Sequence, residues 1–171
     1  MYNFNFPKIR LQMKTLILVR HAKSDWPENT EDFDRPLAEQ GLHDATKMAQ
    51  YLKENNIVID KFVSSPALRA LSTCNIFNET YQLEVETNKK LYNANESSFE
   101  SVIYDLSDDV NSVAMFSHNN GISNFANMIG DQIFSFPTCG VVGFSLDCDS
   151  WSEFESTNKK VLFSYEPKKL K

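Results

Sequence analysis

Apolar positions along this chain keep two rhythms. The first is continuous. Leu16, Ile17, Leu18 and Val19 stand in a row, which predicts a strand over 15–19 that is covered on both faces. Comparable runs predict strands over 61–64 and 112–116, and a short one over 84–86. The second rhythm is helical. Ala38, Leu42, Ala45, Ala49 and Leu52 predict a helix over 37–55, and Leu68, Leu71, Ile76 and Phe77 supply the apolar face of another over 67–81. Helices are also expected over 99–106 and 122–129. The polar stretch 24–35, with Pro27, Asn29 and several aspartates, is a surface loop, and 91–95 is another loop. Alternating apolar residues over 141–146, 151–155 and 160–165 suit antiparallel strands. Strands alternating with helices predict an α/β fold. The expected architecture is a three-layer sandwich, with a mostly parallel central sheet, an antiparallel edge and helices on both faces.

Length and charge narrow the class. The chain has 171 residues and fits one domain over 13–171, with 1–12 as an N-terminal extension. Residues 1–12 carry Phe4, Phe6 and Pro7 but no apolar core or small-residue cleavage site, so they do not read as a secretory signal. A formal net charge of −6 argues against nucleic acid or an anionic membrane as a partner. No apolar stretch approaches the ~20 residues of a membrane span. Cys74, Cys139 and Cys148 are odd in number and lack CxxC spacing, which points to reduced thiols and a cytoplasmic protein. Neither a metal nor a cofactor is expected. Asp105, Asp108 and Asp109 read as solvated helix-end residues, and no phosphate-cradling glycine motif is present.

Chemistry gathers at three strand ends. Each apolar run gives way to a short polar turn bearing a base or a cation: Arg20-His21, then Ser64-Ser65-Pro66-Ala67-Leu68-Arg69, then Ser117-His118. In a doubly wound sheet such ends share one edge and can converge. Two guanidiniums can hold a phosphoryl group through paired hydrogen bonds. A neutral imidazole can attack the phosphorus and split the transfer into two easier steps. A second histidine, if protonated, supplies a further donor. His43, on the first expected helix, has no such context and reads as a surface residue.

With these motifs goes Asp34-Arg35-Pro36-Leu37 and Gly41 after the Arg-His pair, Thr73, Leu91-Tyr92, and Ser117-His118-Asn119-Asn120-Gly121. In that order, from about Met13 onward, they resemble the histidine phosphatase (phosphoglycerate mutase-like) superfamily, above all its short SixA-type phosphohistidine phosphatases. The resemblance implies His21 as a nucleophile that becomes phosphorylated. It implies Arg20 and Arg69 as phosphoryl ligands and His118 as a further contact to the transferring group. Lys23, Ser24 and Asn119 are candidate substrate contacts. Arg35 is either a rim contact or the partner of Asp32 or Asp34. Larger members place an acid near the segment matching 91–96, where this chain has Asn93 and only Glu96. An alkoxide leaving group depends on such an acid, an imidazole less so. The expected activity is therefore a metal-independent phosphatase acting on phosphohistidine of a phosphotransfer protein. The alternatives are a phosphomonoesterase on a small metabolite and a silent phospho-protein binding module.

Overall fold

The computed structural model describes residues 13–170; the segment 1–12 lies outside it. Ten regular elements succeed one another: β1 (Lys14–Arg20), α1 (Glu39–Glu54), β2 (Lys61–Ser64), α2 (Leu68–Tyr81), β3 (Val85–Thr87), α3 (Glu96–Tyr104), β4 (Ser112–Ser117), α4 (Gly121–Ile129), β5 (Val141–Leu146) and β6 (Lys159–Tyr165). The strands form one sheet in the order β3-β2-β4-β1-β5-β6. The first four are parallel, and the sheet continues through two antiparallel pairings, β1 with β5 and β5 with β6.

The apolar run of β1 explains its place inside the sheet. Leu16 and Leu18 face one layer, where they pack with Phe99, Val102 and Ile103 of α3 and Phe125 of α4. Ile17 and Val19 face the other, against Ala45, Met48 and Leu52 of α1 and Phe77 of α2. All four are fully buried, each contributing about 1.5–3 kcal/mol of transfer free energy. A strand with two apolar faces fits between two helical layers.

Three expectations change in detail. The helix faces differ: Leu42 and Leu68 are 48% and 41% exposed, while Gly41 of α1 and Arg69, Ala70 and Thr73 of α2 turn inward. Helix α3 starts at Glu96, ahead of the expected 99, because Asn95 and Ser98 form a reciprocal capping box. The stretch expected as a strand over 151–155 is a 3-10 turn, Trp151–Glu153. Trp151 lies buried there because the Asp108 carboxylate accepts its amide at 2.9 Å and the Val110 carbonyl its indole at 2.8 Å.

Lys14, at the start of β1, is a further surprise, being 1% exposed. Its ammonium donates to the Asp108 carbonyl at 2.5 Å, the Val110 carbonyl at 2.9 Å and Asn111 Oδ1 at 3.1 Å. Three donors thus meet three acceptors, with the Trp151 ring 5.7 Å away.

Candidate active site

At the carboxyl end of β1 the backbone is fixed from several sides. The Arg20 amide donates to Gly140, the His21 amide to Ser117, and the Cys139 amide to the His21 carbonyl. Thr73 of α2 accepts the Ala22 amide at 3.0 Å and donates to the Arg69 carbonyl at 2.7 Å. Its hydroxyl therefore ties the turn after β1 to the start of α2.

His21 sits 7% exposed on this scaffold, with Nδ1 2.8 Å from the Ala22 carbonyl. A carbonyl only accepts, so this contact places the proton on Nδ1 and leaves the Nε2 lone pair free. Burial, opposed by the Ala22 hydrogen bond and reinforced by Arg69, Arg20 and Arg35, lowers its pKa to about 4. The ring is neutral at pH 7.

His118 comes directly after β4, its ring centroid 5.1 Å from that of His21. Burial, then His21 and Arg69, pushes its pKa down to about 3, so the second histidine is neutral too. Its Nε2 lies 2.8 Å from Ser65 Oγ, which itself accepts the Ala67 amide. With the Ser65 hydroxyl donating, the His118 proton lies on Nδ1, a buried atom with no partner among the described residues. A neutral histidine can thus supply the donor that was expected of a protonated one.

The arginines share this incompleteness. Arg20 Nη1 donates to the Phe136 carbonyl at 2.7 Å, but its Nε is buried and has no partner among the described residues. Arg69, the second residue of α2, lies at the positive end of that helix, where a cation is disfavoured and an anion favoured. Its two Nη groups donate to the carbonyl and carboxylate of Asp32, and its buried Nε likewise has no partner among the described residues.

These residues line one open cleft of ≈ 420 Å³ together with Lys23, Ser24, Arg35 and Asn119. All eight side chains singled out in the sequence meet there. Lys23 and Asn119 are exposed on its rim. For Arg35 the two alternatives do not exclude each other in position. It borders the cleft, donates to Ser24 Oγ at 2.9 Å and pairs with Asp32 at 3.3 Å, while its guanidinium stacks on Trp26.

Asp32, Asn93 and Thr138 also line the cleft, and sequence reasoning gave none of them a place in the site. Asp32 lies on a 3-10 turn, Asp32–Asp34, inside the long polar loop. Its carboxylate accepts from Arg69, Arg35 and Tyr92. Tyr92 is brought there because Ser117 at the end of β4 donates to the neighbouring Leu91 carbonyl at 2.7 Å. Burial raises the Asp32 pKa, but Tyr92, Arg69 and Arg35 outweigh it and hold the carboxyl below its ordinary value. The sequence offered Asp32 only as a possible partner of Arg35, not as a partner of Arg69 and Tyr92; Tyr92 and Ser65 lay within the quoted motifs.

The loop bearing Lys23 rests on α1. Gly41 permits this approach, since a Cβ there would stand 2.0 Å from the Lys23 carbonyl oxygen. Among the described residues, no three His, Cys, Asp or Glu side chains stand together as a metal-ligand set, and no helix is long and apolar enough to cross a membrane.

Comparison with known proteins gives a consistent result. The sequence profile of the Histidine phosphatase superfamily (branch 1) matches residues 16–123. An uncharacterized protein of Mycobacterium leprae, ML1117, is 27% identical over 164 residues, covering 88% of this chain and all of that protein. Among solved structures, the protein histidine phosphatase SixA complexed with tungstate aligns with a TM-score of 0.79 at 23% identity, covering 92% of this chain and 99% of that one. A mycobacterial glucosyl-3-phosphoglycerate phosphatase aligns with a TM-score of 0.70 at 15% identity, covering 88% and 98%. The two structural likenesses show the shared fold.

Proposed function

Because the chain belongs to the histidine phosphatase superfamily, we propose that it hydrolyses a phosphoryl group through a covalent phosphohistidine on His21, and that its substrate is phosphohistidine on a phosphotransfer protein. One observation carries the reading. A neutral imidazole with a free Nε2 shares its cleft with two buried donors that lack partners among the described residues, Arg20 Nε and Arg69 Nε, and with the buried His118 Nδ1, also without a partner among them and a third donor when Ser65 donates to Nε2. Buried donors left unpaired cost about 1–3 kcal/mol each, and a phosphoryl group would supply the missing acceptors.

In the first step the Nε2 lone pair forms a bond to phosphorus while the bond to the leaving group breaks, its electron pair departing with that group. The Ala22 carbonyl holds the Nδ1 proton throughout and steadies the ring as it gains positive charge. The two guanidiniums and His118 stabilise charge on the phosphoryl oxygens. Water then attacks the phosphorus, the P–Nε2 electron pair returns to His21, and phosphate leaves with the water's oxygen. The chain's own donors supply the electrostatic help, so metal independence is part of the proposal.

The leaving group favours phosphohistidine. Asp32 is the carboxyl that lines the cleft among the described residues, and it is held ionised at neutral pH. It has no proton to give an alkoxide, for which general-acid help is worth ~10²–10⁴-fold. An imidazole departs without such help. A small phosphate monoester is the second reading, favoured by a cleft of ≈ 420 Å³, a size that suits a small ligand.

The test is a rate comparison in EDTA between a phosphohistidine-bearing phosphotransfer domain and a panel of phosphate monoesters, with wild type and His21→Ala. Preference for the phosphorylated domain, lost in the variant, is the expected result. Preference for a monoester moves the substrate to the second reading. Turnover that survives His21→Ala overturns the mechanism.

A further inference from the structure

Asp32 poses a physical problem that the hydrolytic mechanism leaves unsolved. It puts a negative charge into a cleft whose other charged groups are arranged for an anion. A carboxylate there repels a phosphoryl dianion, and repels a carboxylate-bearing metabolite still more. The arginines alone do not account for its position. Arg69 already has the Asp32 backbone carbonyl as an acceptor, and the carboxylate remains 40% exposed.

The carboxylate also has room for another donor. An ionised carboxylate offers about four lone-pair positions. Oδ2 takes two donors, Tyr92 Oη at 2.9 Å and Arg69 Nη2 at 3.1 Å. Oδ1 takes one among the described residues, Arg35 Nη1, at a long 3.3 Å. The Tyr92 ring that steadies Oδ2 also packs edge-on against His118, with centroids 5.5 Å apart. The part-exposed carboxylate of a cleft-lining residue thus has, at Oδ1, room for a further donor.

A group that is cationic next to its phosphoryl end would resolve the conflict of charge. We infer that Asp32 determines substrate specificity by accepting, at Oδ1, a hydrogen bond from the protonated, non-phosphorylated ring nitrogen of a substrate phosphohistidine. This rests on the phosphohistidine reading and deepens it. The bonding balances without an outside acid. The P–N bond of the substrate breaks, its electron pair returns to the ring nitrogen that bore phosphorus, and the new bond forms from His21 Nε2. The imidazolium becomes a neutral imidazole that keeps the proton facing Asp32. An ester oxygen has no such proton to offer and gains nothing from the carboxylate.

The experiment measures kcat/KM for 3-phosphohistidine and for p-nitrophenyl phosphate in wild type, Asp32→Asn and Tyr92→Phe. In Asp32→Asn the ratio of phosphohistidine to ester turnover is expected to fall at least tenfold. In Tyr92→Phe, which keeps the charge, it stays within twofold. Equal losses on both substrates in Asp32→Asn would mean that Asp32 only holds Arg69, and would overturn the inference. Should Asp32→Asn not fold, wild type decides. Its rate enhancement over uncatalysed phosphohistidine hydrolysis should decline as pH rises past the loss of the substrate's ring proton, monitored by NMR; a flat enhancement overturns the inference. Wild type that cleaves the ester through His21 but not phosphohistidine fails the substrate reading, a different result from equal losses in the variant.

Discussion

The first strand carries a cation at each of its ends, buried at Lys14 and half-buried at Arg20, and the two are treated differently. At the start of β1, Lys14 meets three acceptors with its three donors, all from the segment 108–111. At the far end, Arg20 uses Nη1 on the Phe136 carbonyl and leaves a buried Nε without a partner among the described residues. Across the cleft Arg69 does the same. Native proteins rarely leave buried donors unpaired, so the asymmetry separates two purposes. Lys14 is complete within the fold and holds it together. On the proposed function, Arg20 and Arg69 are completed by the phosphoryl group of the substrate.

The sharpest way to break the comparison is His21→Ala. Turnover should fall by several orders of magnitude, as when a nucleophile is removed elsewhere, while urea unfolding stays close to wild type. Arg69→Ala comes next, with an expected loss of ~10²–10³-fold in kcat, the scale of a deleted oxyanion donor. It should also abolish the rise in melting temperature that phosphate or tungstate gives wild type by mass action. Lys14→Met reverses the pattern. It removes the three hydrogen bonds that tie β1 to the segment 108–111 and should lower stability by about 1–3 kcal/mol in urea unfolding, with kcat per folded molecule unchanged. A Lys14 variant that lost activity at full stability would dissolve the distinction.

The smallest effect is on protonation. His21 and His118 have folded pKa values of about 4 and about 3, against an ordinary 6.5. Between those limits the unfolded chain binds more protons than the folded one. Stability therefore falls as pH is lowered from about 6.5 towards about 3. Ring nitrogen shifts of both histidines at about pH 5.5 should still be those of neutral imidazole, with the His21 proton on Nδ1. Imidazolium shifts at that pH would contradict the desolvated site.

Much of this was legible in the chain because the site is built at strand ends. Four consecutive aliphatic residues suit a doubly covered strand, and residues just past the carboxyl end of such a strand lie on the ligand edge. That logic places Arg20-His21, Arg69 and His118 together without any contact being known. It failed where residues were sorted by hydrophobicity alone. Arg69 and Thr73 turn inward on α2 for the sake of the site, and displace Leu68 to the surface. Asp32 was legible only as a neighbour of Arg35, and its role beside Arg69 was hidden for another reason. Its partners Arg69 and Tyr92 lie 37 and 60 residues away, and only the 3-10 turn within a polar loop brings it to them. Lys14 and Trp151 share that blindness, since the carbonyls that satisfy them belong to an irregular segment with no periodic signature.

The loop after β1 leaves and returns through a single narrow neck. The Ala38 amide closes on the Lys23 carbonyl, the Asp25 amide on the Pro36 carbonyl, and Ser24 bridges Leu37, with Gly41 seated beneath. Such a neck isolates the tip mechanically from the base. Residues 27–30 lie beyond it, while the hydrogen bonds that position the His21 backbone and ring, to Ser117, Cys139 and Ala22, lie below the closure. Variation confined to residues 27–30 would change the surface beside the cleft while sparing Trp26, which stacks on Arg35, and Glu31, whose carbonyl accepts the Asp34 amide in the turn that presents Asp32.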